Sequence, residues 1–169
     1  MTAVRSGTPG DATAIARVHV AAWRETYPGI MPESVIATKT VGDRETQWRQ
    51  WLATPHLSVF VAERDADIVG FAACGARRDP PDVALGEVFA IYLLRSHQGR
   101  GLGRALFAAV DRDLKRRGLH PYLCWVVDGN PATAFYERVG GRRFLTQRAD
   151  IFGSSIVEHG YIWSDEAPG

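Results

Sequence analysis

The feature that most constrains the fold is a strand, a helix and a second strand that follow one another in the second half of the chain. The first strand runs over about Ala84 to Leu94, and the helix over Leu102 to Arg117 carries its apolar residues on one stripe. Gly118 ends the helix, and the second strand follows over His120 to Val127. Such a unit normally places its two strands parallel in one sheet through a right-handed crossover. The sequence therefore predicts at least one parallel strand pair.

The segments around this unit predict further helices and antiparallel strands. Helices are expected where a capping residue or a proline precedes residues at helical spacing, namely over residues 11–27, after Pro32, after Asp43 as a cap, and from Asn130 to Gly140. Strands are expected where β-branched and aromatic residues lie between turn signals, namely over residues 57–64, 68–75, about 143–150 and about 156–163. The first two of these strands form a hairpin, and the whole pattern indicates a mixed α/β fold.

Length and charge narrow the class of protein. A chain of 169 residues is expected to form one domain over residues 1–169. Its 46% hydrophobic and 23% charged residues are typical of a globular protein. The 20 Lys and Arg residues against 19 Asp and Glu residues give a formal charge of +1, so a nucleic acid is not expected as a partner.

The cysteines and the absence of apolar runs indicate the compartment. Cys74 and Cys124 both lie in apolar, strand-like segments and are expected to be reduced core thiols. The first residues lack the apolar region of a signal peptide, and no stretch approaches the roughly 18 to 20 apolar residues of a membrane span. We therefore expect a cytoplasmic protein with no membrane partner.

A glycine-dense turn, Gln98 to Arg104, joins the first strand of the parallel unit to its helix. Free N–H groups and the positive end of a helix dipole, with glycines that let a ligand approach the backbone, favour an anion such as a phosphate. The alternative is a structural turn with exposed arginines. The P-loop pattern is absent, and Arg104 occupies the position where the dinucleotide pattern needs a glycine. These absences disfavour nucleotide hydrolysis and hydride transfer.

Three segments in this order resemble the GNAT family of N-acetyltransferases. Gln98, Gly101 and Gly103 fill the family's Q/R-x-x-G-x-G/A pattern, which binds the coenzyme A diphosphate. The strand from Glu87 to Leu94 resembles the family's fourth strand, and residues 130–141 resemble its N-x-x-A-x-x-F-Y-E-x-x-G segment. Two positions depart from the family pattern: Arg95 stands where proline is common, and Gly141 where an aromatic residue is common.

The resemblance implies a three-layer fold and a cofactor. The fold would be a central, mostly antiparallel, twisted sheet of about seven strands with helices on both faces, in which two parallel strands splay into a wedge. The acyl donor would be acetyl-CoA, with no metal. By resemblance its diphosphate and pantetheine arm would contact Ile91, Leu93, Gln98, Gly99, Arg100, Gly101, Leu102, Gly103, Arg104, Asn130 and Tyr136. Asn130 could equally serve as a helix cap.

Two residues are candidates for the proton transfers of acetyl transfer. Tyr136 occupies the position from which the family reaches the coenzyme sulfur, and its phenol, protonated at neutral pH, would be the general acid. Glu87 is the candidate base, because strand alternation would place it on one face with Phe89 and Ile91. The alternatives are a packed aromatic residue at Tyr136 and an ion pair or solvated carboxylate at Glu87. Asp128 is the nearest acid on the following strand.

The acceptor side is the least defined part of the site. By resemblance the first helices and the last strand turn shape it, which suggests Trp23, Glu25 and Tyr27 for acceptor binding and also brings in Trp48 and Phe152. The tryptophan at 48 is better explained by packing of its short helix, and His19 is expected to be a core histidine outside the site.

The sequence thus predicts an acetyl-CoA-dependent N-acetyltransferase that acts by direct attack on a primary amine of a small molecule or peptide. A homodimer is a further expectation. The alternatives are a non-catalytic acyl-CoA-binding or regulatory module and, less favoured, a nucleotide-phosphate binder. An intact Tyr136 favours the enzyme, because a binding module needs no acid beside the sulfur.

Overall fold

A computed structural model describes residues 1–165 of the chain. Its centre is a seven-stranded sheet with the order β1-β2-β3-β4-β5-β7-β6. The strands are β1 Thr2–Ser6, β2 Leu57–Arg64, β3 Asp67–Ala76, β4 Gly86–Leu93, β5 Tyr122–Val127, β6 Arg142–Ile151 and β7 Ser154–Trp163. The helices are α1 Ala12–Thr26, α2 Glu33–Ala37, α3 Val41–Ala53, α4 Leu102–Arg116 and α5 Ala132–Arg138. All neighbouring strands pair antiparallel except β4 and β5, which are parallel. The predicted fold class and its parallel pair are confirmed.

Helices cover both faces of the sheet because the strand residues alternate between two apolar cores. On one face, Leu106 and Val110 of α4 pack with strand residues such as Ala72. On the other, Ile15 of α1 and Trp48 of α3 pack with strand residues that include Phe71. Adjacent residues of β3 thus serve opposite cores, as the two-residue period of a strand requires.

Two local predictions need correction. The first strand, β1, was not predicted from its own residues, because it has five residues of which none is buried. It is held instead by pairing with β2 and by Arg5, which donates to the carboxylates of Asp11 and Glu63. The cap of α3 is also different: Thr40 accepts the N–H of Asp43, and Asp43 lies inside the first turn.

The parallel pair between β4 and β5 is short. Residues 86–88 pair with residues 122–124, and the two strands then separate. The register with β3 shifts at this point, because Ala73 pairs with Ala90 while Cys74 pairs with Val88. Phe89 is therefore an extra residue in β4, which bends the strand as a β-bulge does.

The bulge also resets the alternation of side chains along β4. Val88, Ile91 and Leu93 contribute to the core beneath α4, whereas Phe89 and Ala90 both pack on the α1 side. The prediction that alternation places Glu87, Phe89 and Ile91 on one face is therefore wrong for Ile91.

His19 is a core residue, as the sequence predicts. Its Nδ1 accepts a hydrogen bond of 3.1 Å from Nε1 of Trp48, and it is 8% exposed. Burial lowers the pKa of His19 from its ordinary 6.5 to about 3, and the positive charges of Arg44 and Lys39 add to this effect. The imidazole is therefore neutral in the folded protein at neutral pH.

Gly141, which stands where an aromatic residue is common in the family pattern, is explained by steric contacts. A Cβ at this position would lie 2.6 Å from Cζ2 of Trp163 and 2.9 Å from the carbonyl oxygen of Tyr136. The indole of Trp163 donates to the carbonyl of Val139 over 3.0 Å and fixes the ring in this place. An aromatic ring thus lies beside position 141, but β7 supplies it.

We predict that Gly141→Ala lowers the free energy of unfolding by about 1–3 kcal/mol, because the added methyl group overpacks the contact with Trp163. Urea unfolding measures the change. The matched control is Gly42→Ala in α3, where a Cβ meets no atom within 4 Å. The control should be neutral or stabilise by up to about 1 kcal/mol, because alanine favours helix over glycine. Equal effects of the two substitutions would contradict the steric explanation.

We also predict a pH dependence of stability that originates at His19. The pKa of His19 is lower in the folded state than in the unfolded chain, so only the unfolded chain takes up the proton as the pH falls below about 6.5. Stability from this group is thus present above that pH and is lost on acidification. In urea unfolding, the wild type should lose roughly 2 kcal/mol more than His19→Gln between about pH 6.5 and pH 4.5. Parallel curves for the two proteins would exclude this origin.

Candidate active site

The separation of β4 and β5 opens a cavity of about 680 Å³ at the centre of the sheet. Its walls come from the C-terminal half of β4, from β5, from the α4 and α5 helix starts, from α1, and from β6 and β7. Small-molecule sites typically have this size and combine apolar walls with a few polar groups. The wedge is therefore the candidate active site.

One end of the cavity is the glycine-dense turn before α4. Gly99 and Gly101 have φ values of +72° and +83°, which glycine adopts without strain. Among the described residues, the N–H groups of residues 99–104 donate to no backbone acceptor. A Cβ at Gly99 or Gly101 would enter open space. The turn is thus an open cradle of N–H groups at a helix N-terminus, the arrangement that binds phosphates.

Two side-chain contacts hold this turn in place. Gln98 donates from Nε2 to the carbonyl of Leu93 over 3.0 Å, which ties the turn to the end of β4. Arg95 donates its backbone N–H to Oε2 of Glu25 over 2.8 Å, and its guanidinium donates to the backbone carbonyl of the same residue. Proline, the common residue at position 95 in the family, lacks this N–H. Arg95, which replaces this proline, therefore connects α1 to the turn.

Tyr136 projects from α5 into the middle of the cavity, beside Cys124 of β5. It is 5% exposed. Burial raises the pKa of Tyr136 well above its ordinary value, and the neighbouring Cys124 thiol adds to the rise. Burial likewise raises the pKa of the Cys124 thiol to about 12. Both groups are thus protonated at neutral pH, and Tyr136 can act as a proton donor.

A polar network crosses the cavity from α1 to α5. The hydroxyl oxygens of Tyr27 and Tyr92 lie 3.0 Å apart. Nδ2 of Asn130 donates to the Tyr27 hydroxyl over 3.4 Å, while its Oδ1 accepts the N–H of Ala132 over 2.9 Å. Asn130 therefore caps the start of α5, as predicted, and also contacts the acceptor side.

The acceptor side has an aromatic wall. Trp23 and Phe152 both line the cavity, and the ammonium of Lys39 lies 4.5 Å from the ring centre of Trp23 and 3.4 Å from that of Phe152. Burial lowers the pKa of Lys39 to about 8, with Arg44 adding to the effect. Cation–π contacts thus join the β6–β7 turn to α1 across the mouth of the cavity. Trp48, by contrast, is fully buried in the core.

The carboxylates of two residues predicted for the site, Glu87 and Glu25, already accept hydrogen bonds within the protein. Glu87 is buried, and its Oε1 accepts from Nη2 of Arg78 over 2.7 Å while its Oε2 accepts the backbone N–H of that residue over 3.1 Å. Glu25 accepts from Arg95 as described above. Neither side chain lines the cavity. The ion-pair alternative for Glu87 is thus the observed one.

The cavity brings together most of the residues predicted for the site. It is lined by Trp23, Tyr27, Ile91, Leu93, Gln98, Gly99, Gly101, Gly103, Arg104, Asn130 and Tyr136. Arg100 is exposed outside it, and the side chain of Leu102 is buried in the core beneath α4, so only its backbone faces the turn. Asp128 lies on the outer surface, with Oδ1 2.7 Å from Nε2 of His159.

The sequence reading missed several residues of the cavity. Tyr92 was one apolar residue among many in β4, and Cys124 was predicted only as a core thiol. It is free and buried, as predicted, but it also lines the wedge. Glu158 of β7 lines the acceptor side, and no motif pointed to it. A lone acid in an otherwise apolar strand was the available signal.

Comparisons with known proteins agree with this geometry. Residues 17–141 match the acetyltransferase (GNAT) family. The chain is 33% identical over 166 residues to a Bacillus subtilis protein called uncharacterized N-acetyltransferase YuaI, covering 98% of this chain and 94% of that protein. It is 36% identical over 109 residues to the mycothiol acetyltransferase of Kocuria rhizophila, covering 62% of this chain and 36% of that protein. The chain thus spans about a third of that longer relative.

A solved structure has the same fold. It is yncA of Salmonella typhimurium with its cofactor acetyl-CoA, which matches with a TM-score of 0.70 and 20% identity, covering 99% of this chain and 96% of that one. Within residues 1–165, no helix is long and apolar enough to cross a bilayer, and no group of three or more His, Cys, Asp or Glu residues could hold a metal ion.

Proposed function

This chain belongs to the acetyltransferase (GNAT) family and is an acyltransferase, and we propose that it transfers an acetyl group from acetyl-CoA to a primary amine of a small molecule or peptide. The observation that carries the proposal is the continuity of one cavity. Gly99 and Gly101 of the N–H cradle, Tyr136, and the aromatic wall of Trp23 and Phe152 all line this one cavity. A donor and an acceptor can therefore occupy it together, as direct attack in a ternary complex requires.

The residues present fit coenzyme A. The open N–H groups of residues 99–104 suit a diphosphate, and Arg104 lines the same end. Beyond Val88 the edge of β4 is unpaired on the β5 side, so its backbone can pair with an extended pantetheine arm as an added strand would. When bound, acetyl-CoA supplies the activated acyl group as a thioester.

Tyr136 is assigned as the general acid. In the transfer, an acceptor that binds as an ammonium first releases one proton to solvent, and the neutral amine nitrogen then bonds to the acetyl carbonyl carbon. The carbon–sulfur bond breaks and the phenol gives its proton to the departing sulfur. The second proton, which the nitrogen loses as the amide forms, returns to the phenolate through solvent. Its raised pKa keeps the proton in place until a thiolate forms beside it. The backbone N–H of Leu93 is proposed to polarise the carbonyl. Glu87, held by Arg78, is not given a proton-transfer role.

We predict that Gly101→Ala weakens binding of coenzyme A at least tenfold in calorimetry, because Gly101 lines the cavity and an added methyl group would take up open space beside the free N–H groups. Gly118→Ala is the matched control. Gly118 has a φ of +69° and a Cβ there also meets open space, but it lies at the far end of α4. Both variants therefore carry similar backbone strain. Equal affinities of the two variants for coenzyme A would overturn the cradle assignment.

We predict that Tyr136→Phe lowers the single-turnover rate of acetyl transfer by about 10- to 1000-fold, since a general acid contributes on this scale. The affinity for acetyl-CoA, measured by calorimetry, should stay within about twofold, because the ring that fills the wedge remains. Tyr161→Phe is the control: it removes a buried hydroxyl that donates to Glu137 over 3.3 Å outside the cavity. An unchanged rate in Tyr136→Phe excludes the acid role, and lost acetyl-CoA binding would indicate packing instead.

A further inference from the structure

The charged side chains that line the cavity are distributed unevenly. Arg104 stands in the first turn of α4 beside the cradle, and Arg138 is the last residue of α5. Glu158 is the one acidic side chain among the described residues that line the cavity. The cavity lining thus carries positive charge beside the cradle, whereas Glu158, its one acidic side chain, belongs to β7.

The position of Glu158 in β7 places it on the acceptor side. Strand alternation puts it on the same face as Ile156, which packs with Trp23 and Tyr27. Its backbone pairs with Val127 of β5, the residue in which that strand ends. Burial is the main cause of the raised pKa of Tyr27 and of the Cys124 thiol, and the charge of Glu158 adds a smaller rise to both, which agrees with its place in the cavity lining beside them.

The carboxylate of Glu158 has no cationic partner within the described part of the chain. Its hydrogen-bonding partner is the neutral amide of Gln147, which donates from Nε2 to Oε2 over 3.3 Å. This differs from Glu87, whose carboxylate forms an ion pair with the guanidinium of Arg78. A partly buried carboxylate without a counter-charge is costly, and an ammonium group that enters the cavity would compensate it.

The walls around this carboxylate also suit a cation. Trp23, Tyr27, Trp125 and Phe152 line the cavity, and aromatic faces attract alkylammonium groups. Lys39 already contacts the faces of Trp23 and Phe152, so Tyr27 and Trp125 are the rings proposed to receive an acceptor ammonium. The same rings offer an apolar surface for the rest of an acceptor molecule. An acceptor amine arrives in water mainly as an ammonium ion, so it brings the cationic partner that Glu158 does not have among the described residues.

We propose that Glu158 binds the ammonium group of the acceptor, and that the acceptor class is an alkyl amine, cationic in water, with an apolar or aromatic body. This inference rests on the proposed acetyl transfer and deepens it by naming the acceptor class. Glu158 is an acceptor-binding residue, distinct from the acid Tyr136 and from the cradle.

Two nearly isosteric acceptors test the proposal at pH 7. Phenethylamine is a cation at this pH, whereas O-benzylhydroxylamine is neutral. Glu158→Gln should raise the KM for phenethylamine about 10- to 100-fold, the scale of a hydrogen bond to a charged group, and should change the KM for O-benzylhydroxylamine by less than about twofold. Asp67→Asn, an exposed acid in β3, is the matched control and should leave both values unchanged.

The ratio of the two KM values separates recognition of charge from structural damage. A merely structural role of Glu158 would affect both acceptors alike, so an equal change in the two KM values, or no change in either, overturns the proposal. Calorimetry with coenzyme A checks that the variant is folded: its affinity should match that of the wild type, because Glu158 lies away from the cradle.

A binding experiment keeps this inference separate from the proposed function. If the wild type transfers acetyl to neither amine, the proposed function fails for this acceptor class. The role of Glu158 in binding an ammonium group is then tested by measuring phenethylamine binding without turnover. Tryptophan fluorescence, to which Trp23 and Trp125 in the cavity walls contribute, follows phenethylamine binding in the presence of coenzyme A. A dissociation constant at least tenfold higher for Glu158→Gln supports the inference. Equal constants, or no saturable binding to the wild type, overturn it.

Discussion

The separation of β4 from β5 is the constraint on which the site depends. The two strands pair only over residues 86–88 and 122–124, and the extra residue at Phe89 bends β4 away at that point. A continuous parallel pair would fill the centre of the sheet with hydrogen bonds and leave no room for a ligand. Because the strands diverge instead, their unpaired edges, the turn before α4 and the start of α5 all face one cavity. The fold thus leaves β4 backbone groups unpaired and makes them available for binding.

The fold could be predicted wherever the signals were local. The stripe of α4, the turn between β2 and β3 and the glycines around the helices were sufficient to place most elements within a few residues. The structure differs where stability comes from distant partners. Strand β1 has no buried residue and depends on β2 and on the Arg5 ion pairs. The bulge at Phe89 could not be predicted from the sequence either. One additional apolar residue in an apolar strand does not indicate how that strand pairs with its neighbour.

The same distinction explains which site residues were predicted. The cradle is a property of the backbone at one turn, so its glycines identify it without any knowledge of tertiary contacts. An acid is different, because its role depends on what lies opposite. Glu25 and Glu87 stand in segments that suggest function, yet the Glu25 carboxylate accepts the backbone N–H of Arg95 and the Glu87 carboxylate accepts from the guanidinium of Arg78. Glu158 stands in a strand with no motif, and only the three-dimensional arrangement shows that it lines the cavity without a cationic partner among residues 1–165.

The two departures from the family pattern show how this chain links the halves of its site. Arg95 uses a backbone N–H that proline would lack, and the acceptor of that hydrogen bond is Glu25 on α1. Since α1 also carries Trp23 and is followed directly by Tyr27, this contact fixes the acceptor wall relative to the phosphate cradle. Gly141 makes space for Trp163, whose indole bonds to the carbonyl of Val139 behind α5 and so supports the helix that presents Tyr136. At Arg95 and at Gly141, a contact between residues distant in sequence therefore takes the place of the residue that is common in the family. The relative positions of the acyl donor, Tyr136 and the acceptor thus depend on packing across the whole sheet.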